Sequence, residues 1–335
     1  MRATEFIQAE EKHFDIVRIG EPKSFSYAFK EGDIIHSSST LRELKQLVIP
    51  PNWVQVEICS DPRTHIRAFG FDEKGRKQYI YNEAWREEKE RKKFNEMISF
   101  ARALPKIRKK AFQDLHRKQW DKQKALALVV LTLDNTHIRI GSERYKKRNK
   151  TYGATTLRRK HIEVENGEVV FKYKGKSNKY RSVRLDNRML SKLVLKSAEM
   201  PGYEIFKYKE GGAFHSLNGN DVNAYLQEIT NESFTAKDFR TWAGTSLCVE
   251  VYKEALEELE KHPRRKFSTA VVRKVAKELG NTVSVCRSHY IHPTILKILE
   301  DEDYTELEHK NQGKEKYGLS AAEKKALELI TPGKG

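Results

Sequence analysis

Short alternating strands before residue 82 and long amphipathic helices after it predict an α+β chain. It should have a small β-rich N-terminal domain and a larger, mainly α-helical domain with a small antiparallel sheet. Three observations support this expectation. Apolar and polar residues alternate in five short runs up to Tyr81, with Gly and Pro between them. From Ala84 onward apolar residues recur at helical spacing among many charges. Alternation then returns only between Leu157 and Leu185, around two turn-forming connections. The 335-residue length suits two domains, placed at 1–85 and 86–335.

The predicted strands of the first domain are Phe14–Ile19, Ser24–Phe29, Trp53–Cys59, His65–Phe71 and Lys77–Tyr81. One helix interrupts them. Thr40-Leu41-Arg42-Glu43 has the form in which a hydroxyl and a carboxylate satisfy orphan amides reciprocally, and Pro50-Pro51 stops the apolar run that follows. In the second domain helices are expected over Ala84–Leu104, Lys110–Trp120 and Lys122–Leu133. Strands follow over Arg158–Val164, Glu168–Tyr173 and Tyr180–Val183, joined by Glu165-Asn166-Gly167 and Lys174-Gly175-Lys176-Ser177-Asn178. The rest reads as helices around Asn187–Ala198, Asp221–Ile229, Ala236–Glu258 and Ser268–Leu279, a short one into Tyr290, and a charged C-terminal tail.

Lys+Arg 64 against Asp+Glu 47 leaves a net charge of +17. Such an excess calls for a polyanionic partner, because each neutralised phosphate releases condensed counterions. The cations cluster, as at Lys106, Arg108, Lys109 and Lys110, and recur beside aromatic residues, so nucleic acid is the expected partner. The three cysteines are scattered and form no C-x-x-C pair, and the eleven histidines show no metal-ligand spacing. Neither a metal site nor a cofactor is expected. Residues 1–15 are polar and lack the apolar core of a secretory signal, and Ala125–Leu133 is too short to span a bilayer. The expectation is a soluble protein of the cytoplasm, associated with the nucleoid.

Arg139, Lys176, the Lys237/Arg240 pair and Tyr290 together suggest attack on a phosphodiester without a metal. The tyrosine oxygen would be the nucleophile, the cations would hold the non-bridging oxygens, and one of them would protonate the departing oxygen. A lone tyrosine near a helix end is ordinarily a core residue, and its pKa near 10 makes it a poor nucleophile unless cations favour the phenolate. Thr235 is a plausible N-cap that places Lys237 and Arg240 in the first helical turns, on one face. An arginine there can hold two phosphate oxygens through its planar fork. Lys176, at a hairpin tip, could reach into a minor groove and donate a proton. In the small domain, Gly75-Arg76-Lys77-Gln78-Tyr79-Ile80-Tyr81 reads as a basic aromatic strand. Gln78 could read adenine edges there, while Tyr79 and Tyr81 pack on sugar or base in the major groove. Plain turn chemistry at Lys176 and a half-exposed strand edge at Gln78 are the simpler alternatives.

The segments Arg139–Tyr145, Tyr152–Leu157, Phe171–Lys176, Lys237–Trp242 and Ser288–Pro293 resemble type IB DNA topoisomerases of the compact bacterial and poxviral branch. Ile49–Trp53, Asp61–Arg63 and Gly75–Tyr79 are similar to the N-terminal clamp of that family, so the resemblance runs from about Ile49 to Pro293. It implies a monomer of two lobes closing on double-stranded DNA. Tyr290 would form a 3′-phosphotyrosyl bond, and the freed 5′-hydroxyl strand would rotate and then re-attack, without ATP or metal. It further implies that Arg139 and Arg240 stabilise the transition state and that Lys176 is the general acid. Lys237, Tyr145 and Thr156 would contact the DNA backbone. Where the poxviral pattern has a histidine, this chain has Asn281, whose neutral amide can still donate to a non-bridging oxygen. Two other classes remain open. Tyrosine recombinases share the chemistry but generally carry H-x-x-R where this chain has Lys237-Asp-Phe-Arg240. A catalytically silent DNA-binding protein would need only the basic charge and the Gln78/Tyr79 strand.

Overall fold

The computed structural model describes residues 6–22, 24–309 and 315–332. The chain divides into two compact units, Met1–Phe94 and Asn95–Gly335.

In the first unit β1 (Phe14–Ile19), β2 (Ser26–Phe29), β3 (Val54–Cys59), β4 (Ile66–Phe71) and β5 (Lys77–Tyr81) form one antiparallel sheet. Its order is β2-β1-β3-β4-β5. Helix α1 (Ser38–Gln46) covers one face, where Leu41 and Leu44 join a core of Ile16, Tyr27, Val56, Ile58 and Ala68. Register shifts between Phe14 and Ile16 and between Ile66 and Ala68 interrupt the strict alternation. Phe14 and Ile66 thereby join a second cluster with Cys59 and Phe69. The cap of α1 corrects the sequence expectation. Ser37, in extended conformation, accepts from the Thr40 amide, and Thr40 lies inside the helix. Ser and Thr are both good caps, and the earlier one prevails.

The division between the units falls inside α2 (Glu83–Leu115), a single helix where two were expected. Pro105 sits within it. An interior proline costs about 3 kcal/mol or more. Met97, Phe100, Ala101, Leu104, Ile107, Ala111 and Leu115, all buried at helical spacing, offset that loss. The helices expected around Asn187–Ala198 and Asp221–Ile229 are α5 (Arg188–Glu199) and α6 (Gly219–Thr230), and two others form the heart of the second unit. Helix α3 (Lys122–Thr136) is buried continuously from Ala125 to Leu133, and α7 (Ala236–Glu250) is buried from Phe239 to Val249. The expected helix over Ala236–Glu258 is in fact two, because Val251, at φ −92 and ψ 3, separates α7 from α8 (Tyr252–Lys261). A three-stranded antiparallel sheet, β6 (Ile162–Glu165), β7 (Glu168–Lys174) and β8 (Tyr180–Leu185), carries the predicted hairpin. The hairpin β9 (Lys207–Glu210) and β10 (Ala213–Ser216) was not expected, although Gly211-Gly212 at its turn is a recognised signal.

The charged tail contains α11 (Pro293–Glu300) and α12 (Ala321–Ile330). Arg108 of α2 pins α12. Its guanidinium donates to both oxygens of Asp134 at 2.8 and 3.0 Å, to both oxygens of Glu323 at 2.8 and 3.0 Å, and to the Gly318 carbonyl at 2.9 Å. Glu323 also accepts from the Trp242 indole of α7 at 3.2 Å. Burial pushes the Glu323 carboxyl up, but Arg108 outweighs it and holds the group below its ordinary range. Removing Glu323 leaves Arg108 paired with Asp134 alone and strips it of two charge-assisted hydrogen bonds. Glu323→Ala is therefore expected to lower unfolding stability by about 1.5–3 kcal/mol, read from urea denaturation at neutral pH. A loss under 1 kcal/mol would mean that Arg108 does not depend on α12.

Candidate active site

Tyr290 caps the C-terminal end of α10 (Val283–His289), its amide donating to the Cys286 carbonyl at 3.0 Å. The Arg240 guanidinium lies 5.7 Å from the centre of the phenol ring. Thr235 caps α7 as the sequence suggested, its hydroxyl accepting from the Lys237 amide while Asp238 closes the box. The expectation that Lys237 and Arg240 share one face meets a difference. Lys237 is exposed, whereas Arg240 is only 4 % exposed.

Arg240 is held by backbone rather than by carboxylates. One terminal nitrogen donates to the His137 carbonyl and the other to the Leu279 carbonyl, the latter at 2.7 Å. Both acceptors come from helix ends, where carbonyls lack intrahelical partners and carry the negative end of the helix dipole. His137 terminates α3 in the left-handed region, at φ 51, a conformation that His tolerates better than most side chains. Leu279 is the last residue of α9 (Phe267–Leu279), which Gly280 ends at φ 60. The Asn281 amide N–H then turns back to the Ala276 carbonyl at 2.9 Å, which fixes Asn281 at the helix end.

Arg139 follows α3 directly and donates to the Asn281 side-chain oxygen. Its backbone is mounted on the Tyr152–Leu157 segment, with the Ala154 amide on the Arg139 carbonyl and the Thr155 amide on the Ile140 carbonyl, both at 2.7 Å. A Cβ on Gly153 would meet the Arg139 carbonyl at 2.4 Å, so only glycine permits that approach. Thr156 is buried, its hydroxyl exchanging hydrogen bonds of 3.0 Å with the amide and carbonyl of Gly153. The hydroxyl expected to contact DNA is thus already engaged within the protein. The Thr156 side chain is committed to the mount of Arg139.

The electrostatics follow from this arrangement. Burial pushes the Arg240 guanidinium down to about 10, and the nearby Arg139 charge pushes in the same direction. Burial would raise the Tyr290 phenol, but Arg240 and then Arg139 outweigh it, and the phenol titrates below its ordinary value. The Asn281 amide nitrogen is near enough to favour the phenolate but makes no aligned hydrogen bond. That nitrogen and Arg240 Nε are buried donors without partners among the described residues. A buried unpaired donor costs about 1–3 kcal/mol, so the site is arranged for acceptors such as the oxygens of a phosphate. Among the described residues no group of three or more His, Cys, Asp or Glu could hold a metal ion, and no helix is long and apolar enough to cross a membrane.

The fold thus gathers Tyr290, Arg240, Arg139 and Asn281. It does not bring Lys176 among them. Lys176 is exposed at the tip of the β7–β8 hairpin, beside Ser177 and Asn178, both at positive φ. Tyr145, on α4 (Glu143–Asn149), is 56 % exposed. In the first unit, β5 exposes Lys77, Tyr79 and Tyr81, while Gln78 and Ile80 take the alternate positions. Strand alternation therefore separates Gln78 from the tyrosines that the sequence reading grouped with it. Asp72, which that reading missed, binds Gln78 at 2.9 Å and Arg76 at 2.7 Å. Lys77 lies 3.6 Å from the Phe69 ring centre, and Tyr81 stacks on Trp85 at 5.3 Å.

Residues 82–317 match the family described as eukaryotic DNA topoisomerase I, catalytic core, and residues 24–72 match the bacterial DNA topoisomerase IB N-terminal domain. DNA topoisomerase 1B of Acanthamoeba polyphaga mimivirus is 28% identical over 312 residues, 90% of this chain and 93% of that protein. DNA topoisomerase 1B of vaccinia virus (strain Copenhagen) is 24% identical over 270 residues, 79% of this chain and 83% of that protein. The XerH site-specific recombinase bound to difH substrate is a remote structural neighbour, with TM-score 0.38 and 19% identity over 60% of this chain and 51% of that one.

Gly244 and Thr245 of α7 complete the mount of the tyrosine. The Thr245 hydroxyl donates to the Tyr290 carbonyl at 3.2 Å and accepts from the His292 amide at 2.9 Å. A Cβ on Gly244 would lie 2.6 Å from the Tyr290 Cβ and carbonyl oxygen. Glycine inside a helix ordinarily costs about 1 kcal/mol relative to alanine. Gly244→Ala should nevertheless destabilise, by about 1–3 kcal/mol through overpacking, in urea unfolding. A stabilised variant would contradict the close approach.

Proposed function

The chain belongs to the type IB DNA topoisomerase family, an isomerase family, and from that premise we propose that it relaxes supercoiled DNA through transient cleavage of one strand. The Tyr290 oxygen attacks the scissile phosphorus, and the phenol proton leaves to solvent. The bond from phosphorus to the 5′-oxygen breaks as the 3′-phosphotyrosyl bond forms. Lys176 gives its proton to the departing 5′-oxygen. The freed strand rotates about the intact one, and its 5′-hydroxyl then attacks the phosphotyrosine to reverse each transfer. One phosphodiester is exchanged for another, so no ATP is consumed.

The observation that carries this reading is the Tyr290 phenol set 5.7 Å from Arg240, beside two buried donors without acceptors among the described residues. A phosphodiester supplies both missing terms, a negative charge for the arginines and oxygens for Arg240 Nε and the Asn281 amide. Charge that builds on the non-bridging oxygens meets fixed cations, of which Arg240 is buried, so a metal is not required. Lys237 and Tyr145 are exposed on the same unit and contact the DNA backbone in this reading. Thr156 acts indirectly, by holding Arg139. Arg76, Lys77, Gln78, Tyr79 and Tyr81 engage double-stranded DNA from the first unit. The protein acts as a monomer on nucleoid DNA in the cytoplasm.

Purified protein mixed with supercoiled plasmid in EDTA, without ATP, should relax both positive and negative supercoils. Tyr290→Phe should bind DNA with unchanged affinity and form no covalent adduct on denaturing gels. Removal of one transition-state donor, as in Arg139→Ala, should cost about 3 kcal/mol, or some hundredfold in cleavage rate. An adduct formed by Tyr290→Phe would refute the nucleophile assignment.

A further inference from the structure

The last turn of α9 meets an arginine at nearly every residue. The Lys277 and Glu278 carbonyls accept from the two terminal nitrogens of Arg181 at 3.1 and 2.6 Å. The next carbonyl, Leu279, accepts from Arg240. After Gly280, the Asn281 side chain accepts from Arg139. Three of these residues already belong to the site, whereas nothing so far gives Arg181 a part. It lies on β8, directly across from Tyr173 of β7, one pair back from the hairpin tip that carries Lys176.

We infer that Arg181 is a positioning residue. It clamps the Lys176 hairpin to the helix end that holds Arg240 and Asn281, and so sets where the lysine reaches relative to the scissile phosphate. The inference rests on the reading of Lys176 as general acid. The contact surface is specific on both sides. A Cβ on Gly280 would lie 2.2–2.7 Å from the Arg181 guanidinium, so the arginine packs flat on the one residue of the turn without a side chain. On the hairpin, Gly175 leaves room for the Arg181 stem, which a Cβ there would meet at 3.2 Å. Tyr173, its cross-strand partner, is buried, and burial raises its phenol against the opposing charges of Arg181, Arg240 and Arg139. Two carbonyls bind two nitrogens of one planar group, so the clamp fixes orientation as well as distance. Lysine, a single compact charge, cannot reproduce it.

Single-turnover cleavage separates this role from simple loss of structure. Two substrates are compared, one normal and one with sulfur replacing the bridging 5′-oxygen at the scissile phosphate. The sulfur leaves as a thiolate and needs no proton. Lys176→Ala serves as the reference, slow on the oxygen substrate and restored by sulfur; if sulfur does not restore it, the general-acid reading itself fails, whatever Arg181 does. With that reference in hand, Arg181→Ala and Arg181→Lys should cleave the oxygen substrate about 100-fold more slowly, the scale of a misplacement near 1 Å. Both should recover to within a few-fold on sulfur, with DNA affinity unchanged. Arg181 variants that cleave the oxygen substrate at the normal rate, or whose defect persists on sulfur, would overturn the inference.

Discussion

The C-terminal end of α9 is the constraint on which the site depends. A helix end offers carbonyls without intrahelical partners and a partial negative charge. Here those carbonyls are used as ligands for guanidinium groups, at Lys277 and Glu278 for Arg181 and at Leu279 for Arg240. Gly280 turns the chain in the left-handed region, and the turn delivers Asn281 to Arg139. A carboxylate in the same place would hold an arginine more tightly, but it would cancel the charge needed for phosphate. Neutral carbonyls orient the guanidinium and leave its charge intact.

Keeping like charges together has a cost that the fold carries elsewhere. Arg240 is buried beside Arg139, and both burial and that neighbour push its pKa down to about 10. At neutral pH it still stays protonated, so the positive field on the Tyr290 phenol persists. The surrounding structure supplies the rigidity. Arg108 ties α2, α3 and α12 through two carboxylates, and Glu323 reaches Trp242, two residues beyond Arg240. Asp134 sits one turn before His137, whose carbonyl holds the other side of Arg240. The C-terminal helix is thus part of the frame around the site.

Much of this was legible in the sequence, for physical reasons that differ by residue. Strands β1 and β5 have the predicted bounds because period-two alternation is unambiguous there. Thr235 announces the start of α7 as its N-cap. The cations and the late tyrosine were visible as types, and Asn281 was visible only through the family pattern. What escaped notice is carried by backbone or by close approach. Nothing in the residue type of His137 or Leu279 marks its carbonyl as an arginine ligand. Thr156 was expected at the DNA only through the family pattern, and only the fold shows its hydroxyl turned to Gly153. Gly244 carried a signal, since a glycine inside an apolar helix commonly marks a near neighbour. Arg181 carried none, being one basic residue among many on a hairpin.

The central claim is that fixed arginines lower the ionisation of one phenol. Carbon-13 labelling of the tyrosine ring, with Tyr290 assigned by its absence from the phenylalanine variant, allows that phenol to be titrated by NMR in the free protein. Tyr290 should ionise below the ordinary value near 10, and substituting Arg240 by alanine should move it upward. A Tyr290 that titrates at or above the ordinary value, or that ignores the loss of Arg240, would contradict the account.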